Sequence, residues 1–375
     1  MQARYETVIV GGGIAGASLA YFLAERGMTD VLLLERETQP GYHATGRSAA
    51  VLAELDANPV LQGLKVASAG FLRQPPAGFA DVPLLTASGI LLLFRDPAWG
   101  AIRQAAPVIE EAGTRLLLLG PAEAATRVAA LVPERFDGAV LLPDDGDIDV
   151  HALLSSYLRH AQRRGVDQRC GVDVHAVRVA AGRVTGVVTS DGPIEARWVV
   201  DAAGAWAGTV ARLAGAASIP LVPHRRTIVT FPVSADVPGW PFVASEDDRL
   251  YFAPESGGLK LSPMDETPVE PCDAHADELA IAEGLERLRA LAPTLVPRTL
   301  GRRWAGLRTF APDRVPVVGE DPRVRGFFWL AGQGGCGIET SPIVGQVAAD
   351  LILDGRTARF DASVLAPSRF GHSSP

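Results

Sequence analysis

The sequence predicts an α/β protein of two domains, one built from βαβ units and the other a β-sheet-rich α+β domain. Two observations lead to this prediction. An apolar strand over 8–10 runs into a glycine turn and a helix, and the same strand–glycine–helix pattern recurs over 327–353. The middle of the chain, 221–300, instead carries several short strand-like runs before a helical stretch.

The opening strand leads into Gly11, Gly13 and Gly16, which form the pattern G-x-G-x-x-G at a strand-to-helix turn. Gly11 allows the tight turn, Gly13 lets a pyrophosphate approach the backbone, and Gly16 lets the helix pack close to the strand. A second apolar strand ends at Glu35, whose carboxylate can accept hydrogen bonds from a ribose. This combination predicts a Rossmann-like dinucleotide site with the phosphates at the helix N-terminus.

The following elements are predicted from hydrophobic spacing and turn residues. Residues 51–72 and 97–135 have helical spacing, and 83–94 is predicted to be strand. Asp149 is expected to cap a helix over 151–164. Three more strands are predicted at 171–179, 183–189 and 194–202, and a helix at 275–293.

The two terminal patterns are expected to share one sheet. This gives a discontinuous nucleotide-binding domain of residues 1–80, 145–220 and 301–375. Residues 81–144 and 221–300 then form a substrate-binding domain. A chain of 375 residues is long enough to build both cores.

Composition limits the class of protein. Hydrophobic residues make up 47% and charged residues 21%, as in compact globular enzymes. The net charge of −8 gives no basis for nucleic-acid binding, and three widely spaced cysteines predict neither a disulfide framework nor a metal site. No signal peptide or bilayer-spanning run is evident. We expect a cytoplasmic protein, with membrane contact at most peripheral.

The loop after Glu35 makes the dinucleotide prediction more specific. Residues 40–50, PGYHATGRSAA, are rich in small residues. Such a loop suits a flavoprotein, where it can follow the pyrophosphate and ribityl chain toward the isoalloxazine ring. Arg47 can pair with a phosphate, and Thr45 and Ser48 can hydrogen-bond to the ribityl chain or the ring edge.

These motifs together resemble the D-amino-acid oxidase family of FAD-dependent enzymes, most closely its D-arginine dehydrogenase members. The resemblance is carried by VIVGGGIAGAS, LLLERE, PGYHATGRSAA, VVDAAGAWA, WAGLRTFAPDRVPVVGE and WLAGQGGCGIETSP, and it covers most of the chain. It implies that FAD is the cofactor. His43 lies near a histidine to which some relatives attach FAD, but the closer resemblance implies non-covalent binding.

The resemblance also implies which residues contact FAD. Val174 would meet the adenine, and the amides from Gly335 to Thr340 would stabilise negative charge on the flavin pyrimidine. The implied cofactor residues are Gly11, Gly13, Ile14, Ala15, Gly16, Glu35, Arg36, Ala44, Thr45, Gly46, Arg47, Ser48, Ala49, Val174, Ala203, Gly204, Trp206, Gly306, Gly334, Gly335, Gly337, Ile338, Glu339 and Thr340.

An anchor for a substrate α-carboxylate is implied as well. Arg308 matches the family arginine that holds the carboxylate, and Arg225 and Tyr251 match further contacts. Of the neighbours Arg225 and Arg226, either could be the inward one. The Gly335 carbonyl matches an acceptor for the amino group. A bidentate arginine–carboxylate pair suits this role because it fixes orientation as well as charge.

Three positions differ from the D-arginine dehydrogenase pattern. Val51 replaces a histidine, Asp56 replaces a tyrosine, and Ile90 replaces the acid that would hold a guanidinium. An apolar contact cannot offset the desolvation of a cation. Arginine and lysine are therefore expected to be poor substrates, unless Asp56 points into the site, and an uncharged or apolar side chain is expected instead.

The implied reaction oxidises the Cα–N bond of an amino acid, expected to be the D-enantiomer, to an imino acid by hydride transfer to flavin N5. No general base is identified, and the electron acceptor (oxygen, a quinone or another) is left open. Three alternatives also stay open: a 2-hydroxy-acid dehydrogenase, a glycine- or sarcosine-type secondary-amine oxidase, and a flavin-binding subunit of a larger complex.

Overall fold

The computed structural model of the chain describes residues 3–234, 237 and 239–371. Helices and strands alternate at both ends of this part of the chain. Its α-helices are α1 (Ile14–Glu25), α2 (Pro59–Arg73), α3 (Ala98–Glu111), α4 (Pro121–Arg127), α5 (Val150–Arg163), α6 (Ala207–Ala214), α7 (Glu278–Leu291) and α8 (Gly337–Asp354).

The strands form three sheets. They are β1 (Ala3–Val10), β2 (Val31–Glu35), β3 (Val51–Leu52), β4 (Leu85–Thr86), β5 (Ile90–Phe94), β6 (Leu117–Leu119), β7 (Gly138–Leu142), β8 (Gly146–Ile148), β9 (Asp167–Cys170), β10 (Val174–Ala180), β11 (Arg183–Thr189), β12 (Gly192–Asp201), β13 (Val222–Phe231), β14 (Phe242–Ser245), β15 (Leu250–Glu255), β16 (Gly258–Ser262), β17 (Thr267–Pro268), β18 (Arg303–Phe310), β19 (Val317–Glu320) and β20 (Phe327–Ala331).

The first sheet joins the two ends of the chain. Its parallel part runs β20-β12-β1-β2-β9, and β10, β11 and β19 extend it with antiparallel pairs. Helices α1, α2, α5 and α8 pack into one apolar core, and α6 contributes to the core on the other side. Burial on both faces explains why β1 and β2 read as continuous apolar runs.

The second sheet is mixed. Its order is β18-β13-β16-β15-β14-β5-β7-β6, with β17 also on β13, and only the β14–β5 pair is parallel. Alternate residues of each strand point to opposite faces. One face packs against α4 and α7, and the other packs against α3 and the segment around Val51. A third, short sheet has the order β3-β8-β4.

This arrangement confirms the α/β fold class. The two terminal strand–glycine–helix patterns do share one sheet, since β1 and β20 both pair with β12. The domain boundary at 301 does not follow sheet membership, because β18 pairs with β13 in the second sheet. No helix in the described ranges is both long and apolar enough to cross a bilayer.

Helix starts were predicted correctly where a side-chain cap was recognised. The Asp149 carboxylate accepts a hydrogen bond from the Ala152 amide at 2.8 Å, at the start of α5. The helical prediction over 51–72 was wrong for its first residues. Asn58 caps α2 by accepting a hydrogen bond from the Val60 amide at 3.0 Å. The helix therefore begins at Pro59, and the residues before it form β3 and a loop. The prediction over 97–135 also missed β6.

A cleft for a cofactor and a substrate

Two cavities meet at the carboxyl ends of β1 and β2. The first, of about 270 Å³, is lined by Gly11, Glu35, Val174 and Trp206 among others. The second, of about 140 Å³, lies toward β13, β15 and β18. The two cavities share the lining residues Gly13, Ala44, Thr45, Ala202, Gly204, Ala205 and Leu307, so they form one cleft.

The glycine turn of the first cavity is held by close backbone contacts. Gly11 has a φ of +115°, and a Cβ on it would lie 2.3 Å from the Ala202 carbonyl oxygen. A Cβ on Gly16 would lie 2.0 Å from the Gly11 carbonyl oxygen. Any side chain at either position would therefore push β1, α1 and the end of β12 apart, as the glycine pattern predicts.

Glu35 is fixed at the end of β2 by two backbone amides. Its Oε2 accepts from the Gly12 amide and its Oε1 from the Glu37 amide, both at 2.9 Å. Both oxygens keep further lone pairs, so the carboxylate can also accept from a ribose hydroxyl.

An aromatic and charged cluster closes the outer end of the first cavity. The Arg36 guanidinium lies 4.4 Å from the centroid of the Trp206 ring, and the His43 ring lies 4.6 Å from that ring. The His43 Nε2 is 2.9 Å from Glu37 Oε1, and this hydrogen bond lowers the pKa of Glu37. His43 is therefore already engaged by Glu37 and Trp206.

The N-terminus of α8 forms one wall of the second cavity. Gly334, Gly335, Gly337 and Ile338 line it. The Cys336 and Thr340 amides are satisfied by carbonyls of the chain. The first-turn amides between them have no acceptor within the helix, so this wall offers N–H donors and a positive helix end.

Three polar groups meet in the second cavity without protein partners. The Arg308 guanidinium has no hydrogen bond or ion pair with another described residue, and it lies against Gly335, where a Cβ would be 2.9 Å from Arg308 Nη1. Arg226 Nη1 and the Tyr251 hydroxyl are buried without a hydrogen bond. Buried polar groups of this kind are rare and point to a missing ligand.

Strand register explains why these groups meet. Arg226 pairs with Gly306 across β13 and β18, so Arg308, two residues on, lies on the same face as a diagonal neighbour. Burial, together with the charge of Arg308, lowers the pKa of Arg226 to about 10, which still leaves it protonated at neutral pH. Its Nε and Nη2 are held by the Asp265 carbonyl and the Glu266 carboxylate.

Arg225 does not reach the cleft, so its placement as a carboxylate contact was wrong. It is one residue from Arg226 and therefore points to the other face of β13. Its guanidinium forms ion pairs with Asp277 and Asp265 instead. The sequence alone predicts the strand but does not decide which of the two arginines faces the cleft.

The comparisons with known proteins fit this cleft. The family model described as FAD dependent oxidoreductase (DAO) matches residues 6–351. The chain belongs to this family of FAD-dependent oxidoreductases. The resemblance inferred from the motifs is thereby confirmed at the level of the family, and FAD is the cofactor.

Individual relatives lie at moderate similarity. Human mitochondrial dimethylglycine dehydrogenase is 27% identical over 98% of this chain, which spans only 44% of that enzyme. Glycine oxidase of Geobacillus kaustophilus is 27% identical, with 98% of each chain covered. Among solved structures, L-proline dehydrogenase from P. horikoshii has a TM-score of 0.89 at 24% identity, covering 99% of this chain and 98% of that one, which supports the shared fold. These relatives do not single out D-arginine dehydrogenase.

The cleft residues of this FAD-dependent oxidoreductase fit a flavin dinucleotide. Gly11 and Gly13 leave the backbone bare where a Cβ would intrude, and the Ile14 amide at the start of α1 is capped by Thr45 Oγ1 at 3.1 Å. Twenty of the predicted cofactor residues line the two cavities; they are Gly11, Gly13, Ile14, Ala15, Glu35, Arg36, Ala44, Thr45, Arg47, Ser48, Ala49, Val174, Ala203, Gly204, Trp206, Gly306, Gly334, Gly335, Gly337 and Ile338.

The remaining predicted cofactor residues support the cleft from behind. Gly16 packs on Gly11, and a Cβ on Gly46 would lie 2.6 Å from the Gly41 carbonyl oxygen. Thr340 Oγ1 donates to the Cys336 carbonyl at 2.8 Å. The Glu339 carboxylate accepts from the Ala53 amide at 2.9 Å, so it does not face the cavities.

Arg47 lines the second cavity but is not a free phosphate ligand. Its guanidinium forms an ion pair with Asp273, and it donates to the carbonyls of Tyr42, Ala274 and Ala305. Every nitrogen of the guanidinium thus has an acceptor in the chain. Arg47 instead fixes the cofactor loop to the second sheet, which corrects the expected phosphate pairing.

None of the three positions expected at the substrate side chain lines the two cavities. Ile90 is fully buried, and both Ile90 and Val51 belong to the apolar cluster that contains Tyr251. Asp56 forms an ion pair with the buried Lys65 at 2.8 Å. Its carboxylate is thus already paired with a cation of the protein, which it shares with Glu339.

Several lining residues were not foreseen. Ile228, Leu307, Thr309 and Gln333 line the second cavity. Ile228 could have been found, because it alternates with Arg226 on β13 and so shares its face. The others depend on how β18 and the glycine loop before α8 approach the cleft, for which the sequence carries no comparable signal.

Proposed function

We propose that this chain is a FAD-dependent dehydrogenase or oxidase of a small α-amino acid with an uncharged or apolar side chain, and that it oxidises the Cα–N bond. One observation carries the proposal. The unpartnered groups of Arg308, Arg226 and Tyr251 converge in the cavity that also contains the N-terminus of α8.

An α-carboxylate satisfies all three groups at once. A buried donor without an acceptor is costly, and charge-assisted hydrogen bonds from the arginines to a carboxylate contribute roughly 1.5–3 kcal/mol each. Glu266 already bonds to Arg226 Nη2, and Arg226 Nη1 is the nitrogen left for a ligand. Arg308 can then bind the carboxylate in the bidentate manner that fixes its orientation.

The remaining contacts of the substrate follow from the lining of the cavity. With the carboxylate between the two arginines, the adjacent Gly335 carbonyl can accept a hydrogen bond from the amino group. FAD, when bound, supplies the acceptor for the hydride. No Asp, Glu, His or Lys is among the described residues that line the second cavity. The amine therefore loses its proton to water or arrives neutral.

The substrate side chain is expected to be small and uncharged. Tyr251 belongs to an apolar cluster that also includes Ile90 and Val51. Asp56 is paired with Lys65 and does not line the cavity, so it does not offer an anion to a cationic side chain. D-Arginine and D-lysine are therefore expected to be poor substrates.

A secondary amine is the second candidate. The relatives named dimethylglycine dehydrogenase and glycine oxidase indicate substrates with an α-carboxylate and no side chain at Cα. N-methylglycine would make the same contacts with Arg308, Arg226 and Tyr251 as glycine. The electron acceptor is oxygen, a quinone or another carrier.

Anaerobic bleaching of the purified yellow protein tests the proposal. The panel contains glycine, N-methylglycine, D- and L-alanine, D- and L-proline, D-arginine, 2-hydroxy acids and the methyl ester of each amino acid. We expect reduction by a small amino acid or its N-methyl form, and none by its ester. Reduction by 2-hydroxy acids alone, by D-arginine best, or equally by ester and acid would contradict the proposal.

A further inference from the structure

A buried charged cluster lies behind the N-terminus of α8. Lys65 of α2 is 6% exposed, and its Nζ is 2.8 Å from Asp56 Oδ2 and 3.3 Å from Glu339 Oε1. Glu339 is in the first turn of α8 and is 7% exposed. The cluster thus joins α2, the loop after β3, and the helix end that lines the second cavity.

The position of Glu339 creates an electrostatic problem for that helix end. A carboxylate in the first turn of a helix offsets the positive charge of the free amides. Gly337 and Ile338, which precede Glu339, line the cavity with those amides. An uncompensated Glu339 would therefore weaken the stabilisation of a negative charge that develops in the cavity.

Lys65 is the cation placed to remove this problem. Asp56 holds its ammonium from the side of the loop, and Glu339 contacts it from the side of the helix. The neighbouring Cys336 thiol stays neutral, since burial raises its pKa to about 12. Arg73 does not compete for Glu339, because it is bound to Glu54 and Asp145.

We propose that Lys65 is a positioning residue whose ammonium, shared between Asp56 and Glu339, offsets the charge of Glu339 and so keeps the cavity-facing first turn of α8 positive. The effect is to favour the reduced, more negative flavin. This inference rests on the proposed function and on the expectation that the flavin pyrimidine lies at the N-terminus of α8. Lys65 lies on α2, so this inference gives a helix that does not line the cavity a role in tuning the cofactor.

The midpoint potential of the bound flavin tests this role directly. At pH 8.5, K65M is expected to disfavour reduction at least tenfold, which corresponds to about 30 mV for a two-electron couple. The additional substitution Glu339→Gln is expected to restore the potential, because it removes the uncompensated charge and keeps an acceptor for the Ala53 amide. Asp56→Asn in the K65M background is the matched control and should restore less.

Thermal unfolding of the same variants separates tuning from loss of packing. If Lys65 only supported the fold, K65M and K65M/E339Q would share a lowered melting temperature and the potential would not recover in the double variant; that result overturns the inference. An unchanged potential in K65M between pH 7 and about 9.5 also overturns it. If wild-type protein binds FAD but no panel substrate bleaches it, the proposed function fails, while the potentials still decide the role of Lys65.

Discussion

The two cavities of the cleft are built in different ways. The first is built mainly from backbone: bare glycines, a helix N-terminus and Glu35, which is itself fixed by amides. The second depends on side chains, in particular Arg226, Tyr251 and Arg308 from three different strands. The glycine turn and Glu35 of the first cavity thus come from one continuous βαβ segment, whereas the polar groups of the second meet through the register of a sheet.

The largest expected effect tests the backbone side of this comparison. Gly16→Ala puts a Cβ 2.0 Å from the Gly11 carbonyl oxygen, so β1 and α1 must separate. We expect a loss of stability of about 4 kcal/mol or more and loss of bound FAD, measured by thermal unfolding and flavin absorbance. Gly70→Ala in α2 is the control; with no neighbour within 4 Å, it should stabilise by about 0.5–1 kcal/mol.

The side-chain dependence of the second cavity is tested by its arginines. Arg308→Met removes two charge-assisted hydrogen bonds and should lower kcat/KM about 10²–10⁴-fold, and Arg226→Met, which removes one, about 10–100-fold. Both variants should keep their FAD. Arg225→Met, one residue away on the opposite face, should mainly lower the melting temperature. An equal loss of activity in the Arg225 and Arg226 variants would refute the assigned face of β13.

A smaller effect is expected at the neutral donor of the same cavity. Tyr251→Phe removes one hydroxyl hydrogen bond to the carboxylate, so KM should rise about tenfold. Tyr5→Phe is the matched control, because its hydroxyl bonds to Asp167 far from the cleft, at 2.5 Å. Steady-state kinetics with the best substrate of the panel measure KM for both variants. An equal change of KM in the two variants would contradict the role of Tyr251.

The free energy of unfolding is expected to depend on pH through the buried Asp145. Burial raises the pKa of Asp145 to about 7, although Glu54 and Arg73 contact it through hydrogen bonds. The folded state therefore binds this proton more tightly than the unfolded state, and stability falls as pH rises from about 4 to 7. The unfolding free energy of the wild type minus that of Asp145→Asn should therefore fall over this range and level off above it. A difference that grows with pH would show that the sign is wrong.

The smallest effect concerns thiol chemistry at the α8 wall. Cys336 is buried and its pKa is raised to about 12, whereas Cys170 and Cys272 are exposed. Because thiolates are the reactive form, iodoacetamide at pH 8 should label Cys170 and Cys272 and leave Cys336 unmodified until the protein unfolds. Mass spectrometry of native and unfolded protein measures this difference. Labelling of Cys336 in the native protein would contradict the prediction, because it would require the N-terminus of α8 to open.

The sequence predicted most of the first cavity because its determinants are local. Gly11, Gly16 and Glu35 act through the backbone of one short segment, so their spacing already describes the turn. Ala44, Thr45, Ser48 and Ala49 of the predicted loop line the cleft, whereas Arg47 is bound within the chain. Its guanidinium is taken by Asp273 and by carbonyls that only folding brings near.

The sequence by itself determined the fold class, the family and the glycine turn at the end of β1, because each depends on periodicity and glycine geometry within short segments. Only the tertiary structure decided that Arg226, not Arg225, faces Arg308, and that Asp56 is paired with Lys65. A shift of one residue turns a strand side chain to the other face, and a buried ion pair joins residues from separate elements. Neither outcome is specified until strands pair and helices pack.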